Sequence, residues 1–95
     1  MIRHIVMWKM AERDEAKMLE IKKSLEALKD ELDVIVSIEV GINAGIEDGM
    51  DFALVADFKS RDDLASYAEA PAHKAVAAAL IKPNVVERRC VDYEF

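Results

Sequence analysis

Between Val34 and Asn43 every second residue is apolar and branched. Val34, Val36, Ile38, Val40 and Ile42 fall on one side, and Ile35, Ser37, Glu39, Gly41 and Asn43 on the other. A period of two suits an extended strand that buries one face, because successive side chains on a strand point to opposite sides. The chain therefore builds a sheet, and the sheet needs a covering layer. Arg3 to Met10 reads as a second strand, with His4, Val6, Trp8 and Met10 on one face and Arg3, Ile5, Met7 and Lys9 on the other. From Asp51 to Phe58, Phe52, Leu54, Ala56 and Phe58 alternate with Asp51, Ala53, Val55 and Asp57. A loop bearing Gly45 and Gly49 joins this strand to the Val34–Asn43 strand, which predicts an antiparallel hairpin.

The covering layer is helical. Asp14 offers an N-cap, with Glu15 in the first turn. Met18, Ile21, Leu25, Leu28 and Leu32 then recur at steps of three and four, which draws one apolar stripe along a helix. Ser60 and Asp63 have capping-box spacing and predict a short helix carrying Leu64, Tyr67 and Ala68. It should stop near Ala70, because Pro71 disfavours helical geometry in the residue before it. Pro71 itself suits the first turn of a new helix, running through Ala72, Val76, Ala79 and Leu80 toward Lys82-Pro83. Val85 to Phe95 closes the chain as a strand.

The order β-α-β-β-α-β predicts a ferredoxin-like α+β sandwich, with helices over one face of a four-stranded antiparallel sheet. Residues 1–95 make one domain of this kind. The even-numbered face of the first three strands belongs under the helices. The other face carries Ile5, Met7, Ile35, Ala53 and Val55, too apolar a set to be left in water. The hydrophobic fraction of 53% points the same way. Two such faces closing on each other across a two-fold axis predict a homodimer, a dimeric α+β barrel.

Charge and composition exclude several functions. A net charge of −6 with scattered basic residues does not suit nucleic acid, which needs clustered Lys and Arg. The lone Cys90 permits no internal disulfide and no Cys-rich zinc cluster, and it reads as a packing atom in the last strand. Asp57, Asp62, Asp63 and Asp92 lack compact ligand spacing, so no metal is expected. Gly41, Gly45 and Gly49 form no phosphate loop, and no cofactor is expected. The first ten residues lack the apolar core of a signal peptide, and no apolar run approaches the roughly 20 residues that span a bilayer. The expectation is a soluble, cytoplasmic protein without membrane contact.

Three segments resemble the stress-responsive dimeric A/B barrel (Dabb) family. They are the opening strand RHIVMWKM, the run from Tyr67 through Pro71 to His73, and the closing VDYEF. His4 and Lys9 match a first-strand pattern of His, apolar residues and Lys. Pro71 and His73 match a His-Pro-x-His turn, with Ala70 standing where the family commonly has its first His. The resemblance implies the dimeric barrel fold already read from the strand faces. Most family members have no assigned reaction. A few relatives act as polyketide cyclases, closing a ring by an aldol-type step without a cofactor. In those, a His in the Pro-x-His element and a Tyr six residues before it form an acid/base pair, and the matching positions are His73 and Tyr67. The same likeness puts His4 at the pocket wall, with Trp8 on its strand face, and sets Phe52 where cyclases carry a further pocket His.

The residues alone support blander roles: His4 as a structural histidine, His73 as a surface residue, Tyr67 as a core aromatic and Trp8 as core volume. Three functional readings stay open. The chain binds a small apolar or carbonyl-bearing molecule between sheet and helices. Alternatively it is a cofactor-independent lyase or cyclase using His73 and Tyr67, or a non-catalytic stress-related dimer whose pocket its own side chains fill.

Overall fold

The computed structural model describes residues 1–95. Strand β1 (Ile2–Met10) leads into helix α1 (Glu15–Glu26) and the single turn α2 (Leu28–Glu31), followed by β2 (Ile35–Ile42) and β3 (Phe52–Phe58). Then come α3 (Arg61–Glu69), α4 (Pro71–Val76), a π-helical turn at Ala77–Ile81 and β4 (Val85–Glu94). The sheet order is β2-β3-β1-β4, with every neighbouring pair antiparallel. This is the ferredoxin-like arrangement. β1 lies inside, with Ile5 opposite Val55 on one side and Val91 on the other.

The helix ends follow from their caps. Asp14 is extended and its carboxylate accepts the Lys17 N–H at 3.0 Å; Ser60 does the same for Asp63 at 3.1 Å. The stripe of α1 then buries Met18, Ile21 and Leu25, and Leu28 continues it, against Val6, Val40, Leu54 and Phe58 of the sheet. The helix pauses at Ala27, and Leu32, already extended, is only half-buried.

Strand β2 departs from the simple alternation. Ile35, expected on the open face, is 4% exposed and belongs to the core, while Val36, expected under the helices, is 39% exposed. A bulge is the cause: Ile35 sits opposite Phe58 and Ser37 opposite Asp57, so Val36 is an extra residue that reverses the facing of what precedes it. Beyond the bulge the expected facing holds, with Val40 fully buried.

The β2 edge is covered by α1. Glu26 accepts the Val40 N–H at 3.0 Å, and Lys22 donates to the Val40 carbonyl at 2.6 Å and to Glu26 at 2.7 Å. Two helix side chains thus stand in for a neighbouring strand. At the opposite end of the sheet, Asp51 is buried and its carboxylate accepts the Met10 N–H at 2.7 Å and an Arg13 N–H at 3.2 Å. That carboxylate pins the start of β3 to the end of β1.

The expected break at Pro71 is present. Ala70 has φ −62° and ψ 133°, extended geometry, with Pro71 in the first turn of α4. The chain then passes into a five-residue turn in which the Lys82 N–H donates to Ala77 at 2.9 Å. No helix is long and apolar enough to cross a membrane.

Candidate functional site

The break at Ala70 decides what the third and fourth helices can share. In an unbroken helix, residues six apart are rotated by about 240° and face different sides. Here the Tyr67 and His73 rings lie 4.4 Å apart between centroids, and the His4 ring is 6.3 Å from Tyr67. The three rings border one cavity of about 260 Å³ between sheet and helices, in which nine of the thirteen lining residues are hydrophobic. β1 supplies His4, Val6 and Trp8, α3 supplies Leu64, Tyr67 and Ala68, and Ala77 and Ile81 of the π-helical turn close one side. A larger hollow of about 880 Å³ beside the β2–β3 loop is lined mainly by charged and polar groups such as Lys9, Arg13, Glu47 and Asp48. It is a surface depression, and the chemistry-bearing rings gather at the smaller, apolar one.

Protonation states follow from contacts. The His73 Nδ1 lies 3.3 Å from the Ala68 carbonyl. A carbonyl only accepts, so Nδ1 carries the proton and Nε2 keeps a free lone pair in the neutral ring. Burial pushes the His73 pKa below its usual value, partly opposed by the Ala68 carbonyl, and the charges of His4, Arg88 and Lys74 push it down further. Burial raises the Tyr67 hydroxyl to about 12, against a weaker pull from Arg88. At neutral pH the pair is therefore an unprotonated imidazole beside a phenol that holds its proton.

Sequence reasoning placed His4, Trp8, Tyr67 and His73 at a pocket, and the structure brings those four to one wall. Phe52 is not in that wall. It sits opposite Trp8 in the strand register and stacks on the indole at 4.9 Å, so it backs the wall. Trp8, Phe52 and Phe58 leave the cavity open, which counts against a pocket filled by its own side chains. Trp8 is 6% exposed, and its indole Nε1 has no hydrogen-bond partner in the protein.

Reading the chain by its histidines missed β4. Arg88, Cys90 and Asp92 alternate along this edge strand on the side that faces the helices, opposite Trp8, Val6 and His4 respectively. Cys90, expected to pack in the interior, is exposed. The helical layer does not reach over this end of the edge strand, and the whole run from Arg88 to Glu94 stays open. The His4 Nδ1 donates to Asp92 Oδ1 at 2.5 Å, and the Cys90 Sγ lies 3.8 Å from the same nitrogen and 3.7 Å from the same oxygen. Burial and the Asp92 charge raise the Cys90 pKa against the pull of Arg88, so the free thiol is protonated. The period-two spacing of Arg88, Cys90 and Asp92 was the available signal, but only the β1–β4 register brings His4 to it.

The comparisons with known proteins agree with this architecture. Residues 2–95 match the model of the Stress Responsive A/B Barrel Domain. A dimeric protein of unknown function from Bacteroides fragilis, with a ferredoxin-like fold, is 32% identical and superposes with a TM-score of 0.84, covering 99% of this chain and 95% of its own. A dimeric ferredoxin-like protein of unknown function from Thermobifida fusca is 26% identical, with a TM-score of 0.87 over 99% of this chain and 90% of its own. A hydroxynitrile lyase from Passiflora edulis shares the fold at 18% identity, with a TM-score of 0.82 over 97% and 90% of the two chains. No curated protein matches the chain.

Proposed function

Since the chain belongs to the stress responsive A/B barrel domain family, we propose that it is a homodimer in which each subunit holds one small, apolar, carbonyl-bearing molecule between sheet and helices. The Tyr67 hydroxyl in a mainly apolar wall carries this reading. Burial holds this phenol in its protonated form, beside the His73 ring at 4.4 Å. A guest that brings a carbonyl oxygen gives this donor an acceptor inside a low-dielectric cavity, where a hydrogen bond is stronger than in water. The apolar majority of the wall suits a hydrocarbon body. A volume of about 260 Å³ lies just under the roughly 300–1,000 Å³ of drug-sized sites, which limits the guest to a small molecule.

The state of His73 favours a second reading that adds chemistry to the same site. Its neutral ring has a free Nε2 lone pair beside a phenol that keeps its proton. Nε2 would take a proton from the carbon next to the carbonyl while Tyr67 donates a hydrogen bond to the oxygen, and the imidazolium would return the proton after the carbon skeleton rearranges.

The dimer rests on the uncovered sheet face. Met7 and Tyr93 are about two-fifths exposed there and Val91 more than half, beside the half-buried Ile5 and Val55. One charged pair on this face is already matched: Arg3 donates twice to Asp57, at 2.8 and 2.9 Å, and its guanidinium lies 4.4 Å over the Phe95 ring. Of the three neighbours described above, those from Bacteroides fragilis and Thermobifida fusca are dimeric.

The binding test fills the cavity. Ala77 is in the wall, so Ala77→Phe should remove saturable binding of a small cyclic ketone, read by calorimetry, while circular dichroism stays native. Binding undiminished in that folded variant would place the guest elsewhere.

A further inference from the structure

We propose that His4, Cys90 and Asp92 form a binding site for a zinc-class divalent ion at the open end of the β1–β4 ladder. Their ligand atoms all lie within 4.8 Å of one another. The backbone fixes this grouping: His4 is directly opposite Asp92, and Cys90 is two residues before Asp92, so all three project from one side of a paired ladder. The site adjoins the cavity through His4, which is in its wall, while Cys90 and Asp92 lie outside that wall.

Distance and ligand chemistry agree. Around a tetrahedral zinc ion, with bonds of about 2.0–2.3 Å, neighbouring ligand atoms stand roughly 3.3–3.6 Å apart. The sulfur already lies 3.8 Å from the imidazole nitrogen and 3.7 Å from the carboxylate oxygen. The nitrogen and oxygen are closer, at 2.5 Å, as a hydrogen-bonded pair. An ion replacing the hydrogen-bonding proton needs this pair to open by about 0.8 Å, a small rotation for Asp92, whose side chain is 44% exposed. Binding would release the Nδ1 proton and the thiol proton, leaving an imidazole, a thiolate and a carboxylate. Such a mixed nitrogen, sulfur and oxygen set selects a borderline ion over calcium or magnesium, which take oxygen ligands. The thiolate and the carboxylate would cancel the ion's two charges. Three protein ligands leave a fourth position for water or for the oxygen of a small ligand. Arg88 also faces the thiol, and its positive charge tempers the affinity.

The test uses cobalt(II) as a coloured stand-in for zinc, added to the reduced full-length protein. The expected result is saturation at one ion per chain, with a near-ultraviolet thiolate-to-cobalt charge-transfer band that zinc abolishes. Cys90 is exposed, so Cys90→Ser should fold normally; it should lose the band and weaken binding about tenfold or more. Asp92→Asn should keep the band and weaken binding, and Arg88→Gln should tighten it. Absence of saturable binding in the reduced wild-type protein would overturn the site. So would binding of equal strength in Cys90→Ser, which would place the ion on other ligands.

Discussion

The rings of Tyr67 and His73 lie 4.4 Å apart although six residues separate them along the chain. The extended geometry of Ala70 makes this possible, because it re-aims α4 instead of continuing the rotation of α3. A proline with no reactive group of its own therefore sets the geometry of the candidate site.

His73 should titrate below an ordinary histidine when followed by NMR. Its neutral form is favoured in the fold, so between the lowered folded value and the unfolded value near 6.5 the unfolded chain binds more protons. The stability this contributes is complete above the unfolded value and is lost as pH falls through that window. Urea unfolding of wild type and His73→Ala across mild acid isolates the effect, since other groups cancel in the difference. The variant should show the shallower fall with acid. Parallel curves would mean that His73 is solvated like a surface residue.

On the uncovered sheet face, Val55→Lys should turn the proposed dimer into monomer or aggregate, because a dry interface there would not pair the ammonium, at a cost of several kcal/mol. Light scattering reads the outcome. A dimer of unchanged stability would place the interface on another face.

The strand-edge cover gives a separate check. Glu26 is held in its charged form, with Lys22 and the Val40 N–H outweighing the opposing effect of burial. Removing it by Glu26→Ala leaves the Val40 N–H on an open edge. Because the carboxylate is partly solvated, the expected loss is about 1 kcal/mol in urea unfolding, accompanied by greater aggregation. Unchanged stability and solubility would show that water replaces Glu26 without cost.

Residue patterns carried the element order, both helix caps and the Pro71 break, because each depends on neighbours close in sequence. Alternation could not reveal the β2 bulge, where the one extra residue Val36 turns Ile35 from the open face into the core. Asp51 looked like an outward strand residue, yet its carboxylate serves the Met10 N–H, a partner 41 positions away that only folding brings near. The same limit hid Cys90 and Asp92: their meeting with His4 is a matter of β1–β4 register, which local sequence does not encode. His73 and Tyr67 were legible only because a short local motif spans both.

The account turns on the apolar cavity whose wall holds Trp8 and Tyr67, and the chain has one tryptophan, so its indole ¹H–¹⁵N cross-peak is a unique reporter of that wall. Titrating ¹⁵N-labelled protein with a small cyclic ketone, and separately with the hydrocarbon of the same ring size, tests it directly. The ketone should shift the indole cross-peak with saturation. In Tyr67→Phe, which lacks the hydroxyl donor, the same shift should need about tenfold more ketone, while the hydrocarbon should bind both proteins alike. Saturable ketone binding that leaves the indole peak in place, or no binding at all, would contradict the proposed role of this cavity.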